Sequence, residues 1–156
     1  MTGSTLPCVA LQITVEDGSI ISTRLSLEPA FRCEIFGASP TETKQIHDWL
    51  RLYAQGQSAP LPLSLEGTTP FQEKVLLRLQ KIPSGKTESY SSIARSLGNP
   101  KAARAIGGAC NKNPIPFFIP CHRVVAADGS LGGFAIDLEI KRRLLEFESR
   151  QSARSQ

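Results

Sequence analysis

The chain has 156 residues, 40% of them hydrophobic and 21% charged, a composition typical of a globular protein of one or two domains. No run approaches the roughly 18 apolar residues of a membrane span, and the first ten residues lack the basic and apolar regions of a secretory signal. The four cysteines form no Cys-x-x-Cys pair, which argues against a zinc ribbon or thioredoxin-type motif and favours a reduced, cytosolic protein.

The net charge of +4 is distributed unevenly along the chain. Residues 1–70 carry four basic and seven acidic side chains, a net charge of −3, whereas residues 71–156 carry fourteen basic and seven acidic, a net charge of +7. A basic half fits a surface that binds a polyanion, most often nucleic acid, and it equally fits a soluble basic surface without such a partner. The charge alone does not distinguish between these two interpretations of the basic half.

Residues 1–67 predict a small sheet followed by one helix. Two runs rich in β-branched residues, Cys8–Val15 and Ser19–Leu27, flank Glu16-Asp17-Gly18, and Asp-Gly favours the positive φ angles of a hairpin turn. Phe31–Phe36 predicts a third strand. Thr41–Ala54 predicts a helix, whose apolar stripe comprises Ile46, Trp49, Leu50 and Tyr53.

A linker over Gln55–Gly67, rich in proline and glycine, leads to a second unit, residues 68–148. Thr69 at the N-cap, Pro70 after it and Gln72 at the third helical position predict a helix start. Its apolar stripe comprises Phe71, Val75, Leu79 and Ile82. The polar residues 149–156 are expected to form a disordered tail.

A helix-turn-helix is predicted next. Ser89–Leu97 forms a short helix that closes at Gly98, and Asn99-Pro100 provides the cap of a helix that begins at Lys101. This second helix consists mostly of Ala and Gly, with Arg104 projecting from it. Small residues allow the backbone to approach DNA closely, and they equally favour tight packing against another helix.

Three prolines between residues 114 and 120 exclude a helix and predict a rigid extended segment that leads to Cys121. Cations lower the pKa of a cysteine and thereby favour the nucleophilic thiolate, and His122 and Arg123 follow directly. On an extended chain, neighbouring side chains point to opposite faces, so the dipeptide alone fits a buried, inert cysteine better. A last helix is predicted over Asp137–Glu148.

The run GNPKAARAIGGACNKNPIPFFIPCHRVVAADGSLGGF closely resembles the O(6)-alkylguanine-DNA alkyltransferases, also called methylated-DNA–protein-cysteine methyltransferases. Their PCHRV hallmark is present as Pro120–Val124, and the similarity extends from about Thr69 to Glu148. With the element pattern, the resemblance implies an α/β (α+β) fold: a small N-terminal sheet-plus-helix scaffold domain, followed by a helical, winged helix-turn-helix-like domain that binds DNA and accepts the alkyl group.

The resemblance implies a DNA repair enzyme that flips O(6)-alkylguanine out of duplex DNA and transfers the alkyl group irreversibly to its own Cys121. O(4)-alkylthymine is a second candidate lesion. His122 matches the histidine that takes the thiol proton through a bound water, Glu148 the glutamate that orients this histidine, and Asn113 the asparagine that braces the site. We expect no cofactor, no metal, double-stranded DNA as the partner, and a monomer located in the cytoplasm with the nucleoid, or in a eukaryotic nucleus.

Four residues match DNA-contact positions of that family. Arg104 matches the arginine that fills the base stack when the damaged nucleotide is extruded, a role that base flipping requires. Tyr90 matches the tyrosine that crowds the phosphate and promotes rotation of the nucleotide. Ser91 and Asn99 match weaker contact positions, and both also fit a cap or a turn.

Val124 and the loop of Phe134 and Ala135 match the walls of the base pocket. The chain departs from the family pattern there, because Phe134 stands in place of the usual Tyr, Ala135 in place of Ser, and Ile136-Asp137 in place of Gly-Gly. The larger Ile136 side chain predicts a tighter rim that disfavours bulky substituents such as benzyl.

Two other functions stay open beside repair. A non-catalytic protein that binds alkyl lesions resembles this family but lacks the acceptor cysteine, whereas Cys121 is present. A helix-turn-helix transcription regulator predicts preference for one DNA sequence, whereas repair predicts preference for a lesion in any sequence.

Overall fold

The computed structural model describes residues 6–132 and 137–154. The chain combines short strands with helices, and this mixed architecture confirms the predicted α/β fold class. In order, the elements are β1 (Val9–Glu16), β2 (Ser19–Leu27), β3 (Arg32–Phe36), α1 (Pro40–Ala54), α2 (Pro70–Leu79), β4 (Glu88–Ser89), α3 (Tyr90–Ser96), α4 (Ala103–Asn111), β5 (Val124–Val125) and α5 (Leu138–Arg154). None of the helices in the described ranges has the length and apolar character needed to cross a membrane.

The N-terminal sheet has the order β2-β1-β3. β1 pairs antiparallel with β2 through a turn in which Asp17 and Gly18 have φ angles of 50° and 81°, so the predicted hairpin is confirmed. β3 pairs parallel with β1 on its other side. Alternate residues of β1 are buried, and they share a core with the buried stripe of α1, which comprises Ile46, Trp49, Leu50 and Tyr53.

The two predicted units share one hydrophobic core. Trp49 lies with its ring centroid 4.7 Å from that of Phe118, and Tyr53 lies 4.8 Å from Phe117 and 5.4 Å from Phe147 of α5. Aromatic pairs at these separations add to the energy of area burial. Helix α1 is therefore held against the loop that precedes Cys121, while the domain boundary after residue 67 stays a prediction.

The helix boundaries differ from the predictions at two places. α4 begins at Ala103 and not at Lys101, because the Asn99 side chain does not cap it; the Asn99 carbonyl instead accepts the Ala102 amide in a turn. The segment predicted as a disordered tail continues α5 to Arg154, because Gln151 is buried and anchors the last turns of this helix.

The capping box at Thr69 and Gln72 is confirmed, but the stripe predicted for α2 is partly wrong. Phe71 is 39% exposed, whereas Leu76 is fully buried beside Val75. The buried face of this helix is thus rotated from the one that the apolar spacing indicated.

Candidate active site

Asn113 closes the loop that leads to Cys121. Its Oδ1 accepts the Ile115 amide and its Nδ2 donates to the Ile119 carbonyl, both at 2.9 Å. The Ile119 amide donates to the Ile115 carbonyl, and Phe117 has a φ angle of 82°, which is uncommon for a bulky residue. The segment predicted to be extended is therefore a compact loop, because prolines exclude a helix but permit turns.

Strand β2 braces the same loop from the N-terminal sheet. The amide of Thr23 donates to the Pro114 carbonyl at 3.1 Å, and its Oγ1 donates to the Pro116 carbonyl at 2.6 Å. Thr23 is buried, so these bonds satisfy polar groups that water does not reach. The sheet thus fixes the approach to Cys121.

Cys121, His122 and Arg123 form a single 3-10 turn. In this tight turn the side chains do not alternate as they do on an extended chain, and all three are buried, His122 completely. The turn directs His122 and Arg123 toward the same carboxylate on α5, that of Glu148.

Glu148 is the hub of this buried network. His122 Nε2 lies 2.7 Å from its Oε2, and Arg123 binds both carboxylate oxygens, with Nε 2.7 Å from Oε1 and Nη2 3.2 Å from Oε2. The hydroxyl of Tyr53 donates to Oε2 at 2.7 Å. Burial raises the pKa of Glu148, but the hydrogen bond that His122 donates and the charge and hydrogen bonds of Arg123 outweigh it and lower this pKa to about 2, so the carboxylate is ionised.

The ionised Glu148 determines the tautomer of His122. A carboxylate only accepts hydrogen bonds, so Nε2 carries the ring proton and Nδ1 carries the lone pair. Nδ1 is buried and has no hydrogen-bond partner among the described residues. Burial lowers the pKa of His122 more than Glu148 raises it, so the ring is neutral and Nδ1 is able to accept a proton.

The thiol of Cys121 is protonated at rest. Burial raises its pKa, and the smaller opposing effects come from a hydrogen bond with Asn113 and from the charge of Lys141. Of the two interpretations that the sequence left for this run, activation by the neighbouring cations and a buried cysteine, the structure agrees with the second: the thiol is buried, His122 is neutral and Arg123 is bound to Glu148. Cys121 therefore requires a base.

Lys141 is a buried cation that the sequence analysis missed. Its Nζ donates to the carbonyls of Val124 and Leu131, at 2.7 and 2.5 Å. In the sequence Lys141 follows Ile140 on the apolar side of α5, and a cation at such a position indicates a buried charge.

Val124, predicted as a pocket wall, is itself buried and pairs with Glu88 between β5 and β4.

The predicted DNA-contact residues lie on and around α3 and α4. Arg104 and Asn99 are exposed, and Ser91 and Tyr90 are half-buried. The Tyr90 ring lies close to α4, since a Cβ at Gly107 would stand 3.8 Å from Cε1. Burial raises the pKa of Tyr90 to about 12, so this side chain stays a neutral phenol.

The predictions for the base pocket at Phe134, Ala135 and Ile136 concern residues that lie outside the described part of the chain.

The small residues of α4 fall into two groups. Ala109 is buried, as helix packing predicts, whereas Ala105 and Gly108 are exposed beside Arg104. A Cβ at Gly108 would meet no atom within 4 Å. Packing within the chain thus accounts for Ala109 but not for Ala105 and Gly108, whose small side chains leave a surface that another molecule is able to approach closely.

This surface is also uniformly basic. No acidic residue occurs in the sequence between Glu88 and Asp128. Four exposed cations lie in this stretch, Arg95, Lys101, Arg104 and Lys112. The charge asymmetry of the sequence therefore becomes a local positive face around the helix-turn-helix.

The comparisons with known proteins agree with this arrangement. Residues 70–150 match the family described as 6-O-methylguanine DNA methyltransferase, DNA binding domain. Over 101 residues the chain is 48% identical to a methylated-DNA–protein-cysteine methyltransferase of Methanosarcina acetivorans, a match that covers 64% of each chain. A probable methylated-DNA–protein-cysteine methyltransferase of Acanthamoeba polyphaga mimivirus is 46% identical over 106 residues, 66% of this chain and 70% of that protein.

A solved structure extends the similarity over the N-terminal half. The crystal structure of Mycobacterium tuberculosis OGT in complex with DNA superposes with a TM-score of 0.71 at 32% identity, covering 92% of this chain and 94% of that one. The family match spans more than half of the chain, and the solved relative aligns with nearly all of it. The resemblance seen in the sequence is confirmed, and the chain belongs to the 6-O-methylguanine DNA methyltransferase family.

Proposed function

We propose that this protein repairs duplex DNA by transferring the alkyl group of O(6)-alkylguanine to Sγ of Cys121. The observation that carries the proposal is the buried pair of His122 with Glu148, in which His122 lies in the same 3-10 turn as the buried Cys121 and its Nδ1 has no hydrogen-bond partner among the described residues. A buried thiol with a raised pKa needs a base to become the nucleophilic thiolate. The names of the relatives, methylated-DNA–protein-cysteine methyltransferases, support a cysteine as the acceptor.

The chemistry follows from the protonation states. The Cys121 thiol gives its proton to Nδ1 of His122 by way of a water, and the charge that develops on the ring is stabilised by Glu148. The thiolate then attacks the alkyl carbon, so that the S–C bond forms as the C–O6 bond breaks. The bonding electron pair passes to the guanine, which takes up a proton and becomes unmodified. The acceptor is the protein's own thiol, so the step needs no cofactor or metal, and each molecule acts once.

The basic face around α3 and α4 is the surface that we assign to DNA. An alkylated O6 inside the duplex is out of reach of a buried thiol, so the nucleotide leaves the stack before transfer. Arg104 fills the space left in the stack, and Tyr90 crowds the neighbouring phosphate. Exposed small residues suit an approach through the minor groove, where closeness matters more than polar contacts to base edges.

Further residues around the site have roles in DNA contact and in the base pocket. Ser91 and Asn99 contact the DNA backbone, Asn113 braces the loop before Cys121, and Val124 forms one wall of the base pocket. The protein acts as a monomer on double-stranded DNA, in the cytoplasm with the nucleoid, or in the nucleus of a eukaryote.

A transfer assay tests the proposal. Duplex DNA with a labelled O6-methylguanine is mixed with the wild type, with Cys121→Ser, and with Cys110→Ser as the matched control, because Cys110 is the other buried cysteine. We expect label on the wild type and on Cys110→Ser, and none on Cys121→Ser, which still binds DNA. Lesion binding without transfer by the wild type would indicate a non-catalytic damage-binding protein, and preference for one undamaged sequence would indicate a regulator.

A further inference from the structure

The N-terminal half contributes a polar group to the buried network. Tyr53 lies near the end of α1, and its hydroxyl donates to Oε2 of Glu148 across 95 positions of sequence. Oε2 is also the oxygen that His122 Nε2 binds at 2.7 Å. One carboxylate oxygen thus joins the histidine of the C-terminal half to a tyrosine of the N-terminal half.

The position of the Tyr53 hydroxyl is determined by packing. The side chain is 1% exposed, and its ring lies between three other rings, with centroid separations of 5.5 Å to Trp49, 4.8 Å to Phe117 and 5.4 Å to Phe147. A ring enclosed in this way has one accessible rotamer, so its hydroxyl is a fixed donor. Burial raises the pKa of Tyr53 well above its usual value, and the phenol keeps its proton.

Hydrogen-bond donors from different elements hold the Glu148 carboxylate in one orientation. Arg123, which is anchored by a hydrogen bond from Nη1 to the Ile82 carbonyl, lies 2.7 Å from Oε1 but 3.2 Å from Oε2, so its short bond is to the oxygen that His122 does not bind. The Tyr53 hydroxyl approaches from a different element and binds the oxygen that faces His122. With this donor in place, Oε2 stays in line with His122 Nε2, and the lone pair of Nδ1 keeps its direction.

We propose that Tyr53 is a positioning residue for alkyl transfer: its hydroxyl holds Glu148 in the orientation that keeps His122 ready to accept the Cys121 proton. This inference rests on the proposed function. It assigns to the N-terminal half a part in the reaction, beyond that of a scaffold. Tyr53 touches neither the thiol nor the lesion, so it acts through Glu148 alone.

The test is the single-turnover rate of methyl transfer at saturating lesion DNA, together with the affinity for that DNA. Tyr53→Phe removes only the hydroxyl and keeps the ring. We expect the transfer rate to fall about tenfold, as for the loss of one hydrogen bond to a charged group, with unchanged DNA affinity. Ile46→Val is the matched control, because it alters the same buried stripe of α1 without removing a ring that packs on Tyr53; we expect it to keep the wild-type rate.

A second variant separates positioning from a general loss of structure. In a Glu148→Gln background the carboxylate is already gone, so adding Tyr53→Phe is expected to cause no further loss of rate. The nitrogen chemical shifts of the His122 ring give a readout without DNA, and we expect Tyr53→Phe to move them while Ile46→Val does not.

The outcomes are distinguishable. A wild type that transfers methyl while Tyr53→Phe reacts equally fast would overturn this inference and leave the proposed function intact. Independent, multiplicative losses from Tyr53→Phe and Glu148→Gln would also overturn it, because Tyr53 would then act by another route. A wild type that transfers no methyl would overturn the proposed function and this inference with it.

Discussion

Arg123 and Glu148 form a buried ion pair in which Nε lies 2.7 Å from Oε1. The same carboxylate binds His122 through its other oxygen, so Glu148 affects both the stability of the core and the protonation of the proposed base. Charges buried in this way are costly to separate, because the remaining partner has lost its water. The site is therefore expected to be sensitive to changes that remove either charge.

Removal of the Arg123 charge tests this dependence. Arg123→Met leaves Glu148 buried without its guanidinium, and we expect the free energy of unfolding to fall by about 3 kcal/mol. Arg142→Met is the control, because Arg142 pairs with Glu139 at the surface, at 3.3 Å, and we expect a loss of less than about 1 kcal/mol. Urea denaturation measures both. Equal losses for the two variants would contradict the buried pair.

Acid is expected to destabilise the protein through both titrating members of the network. The pKa of Glu148 lies at about 2 in the folded state, below its usual value of 4.5, so its contribution is complete above pH 4.5 and is lost as the pH falls toward 2. The pKa of His122 is also lowered, so below pH 6.5 the unfolded chain takes up a proton that the folded chain does not. Both effects reduce stability on acidification.

Denaturation at a series of pH values separates these two windows. In Glu148→Gln the loss between pH 4.5 and pH 2 is expected to be smaller than in the wild type, while the loss that begins below pH 6.5 persists as long as His122 stays buried and neutral. A wild type whose stability rises as the pH falls from 6.5 would contradict the assignment of a neutral His122.

Local features of the fold, such as the turn at Asp17-Gly18 and the helix start at Thr69, could be predicted from the sequence, whereas the long-range contact of Tyr53 could not. The hairpin and the capping box depend on residues that are close in the sequence, and for this reason the sequence predicts them. Both predictions are confirmed. Tyr53 was correctly placed in an apolar stripe, but its hydroxyl binds a residue 95 positions away, and no local pattern encodes that partner. The raised pKa of the Cys121 thiol is not encoded locally either, since it depends on burial, which is a property of the whole fold.

Two glycines with the same backbone conformation provide a test of packing near α5. Gly85 and Gly67 both have a φ angle of 87°, but a Cβ at Gly85 would lie 2.5 Å from Ser152 Cβ, whereas one at Gly67 would meet nothing within 4 Å. Gly67→Ala is expected to cost about 1 kcal/mol for the left-handed conformation alone. Gly85→Ala is expected to cost about 2 kcal/mol more, because the end of α5 has to shift. Thermal unfolding that shows equal losses would contradict the packing of residues 149–154.

The exposed small residues of α4 predict a steric effect on DNA binding. Gly108→Leu adds bulk at an open position of the helix, so we expect stability to be kept or to rise by about 0.5 kcal/mol and DNA affinity to fall at least roughly tenfold. Gln45→Leu, at an exposed position of α1, is the control for added surface hydrophobicity and is expected to bind normally. Undiminished DNA binding by Gly108→Leu, measured by fluorescence anisotropy, would exclude this face as the interface.

The most direct test of the central claim combines stoichiometry with the site of transfer. The wild type is titrated into an excess of duplex DNA containing O6-methylguanine, and the repaired lesions and the peptide masses are measured together. We predict that repair stops at one lesion per protein molecule and that the peptide with Cys121 gains one methyl group in place of a proton. Repair that continues beyond one lesion per molecule, or a methyl group found on another residue, would contradict the account.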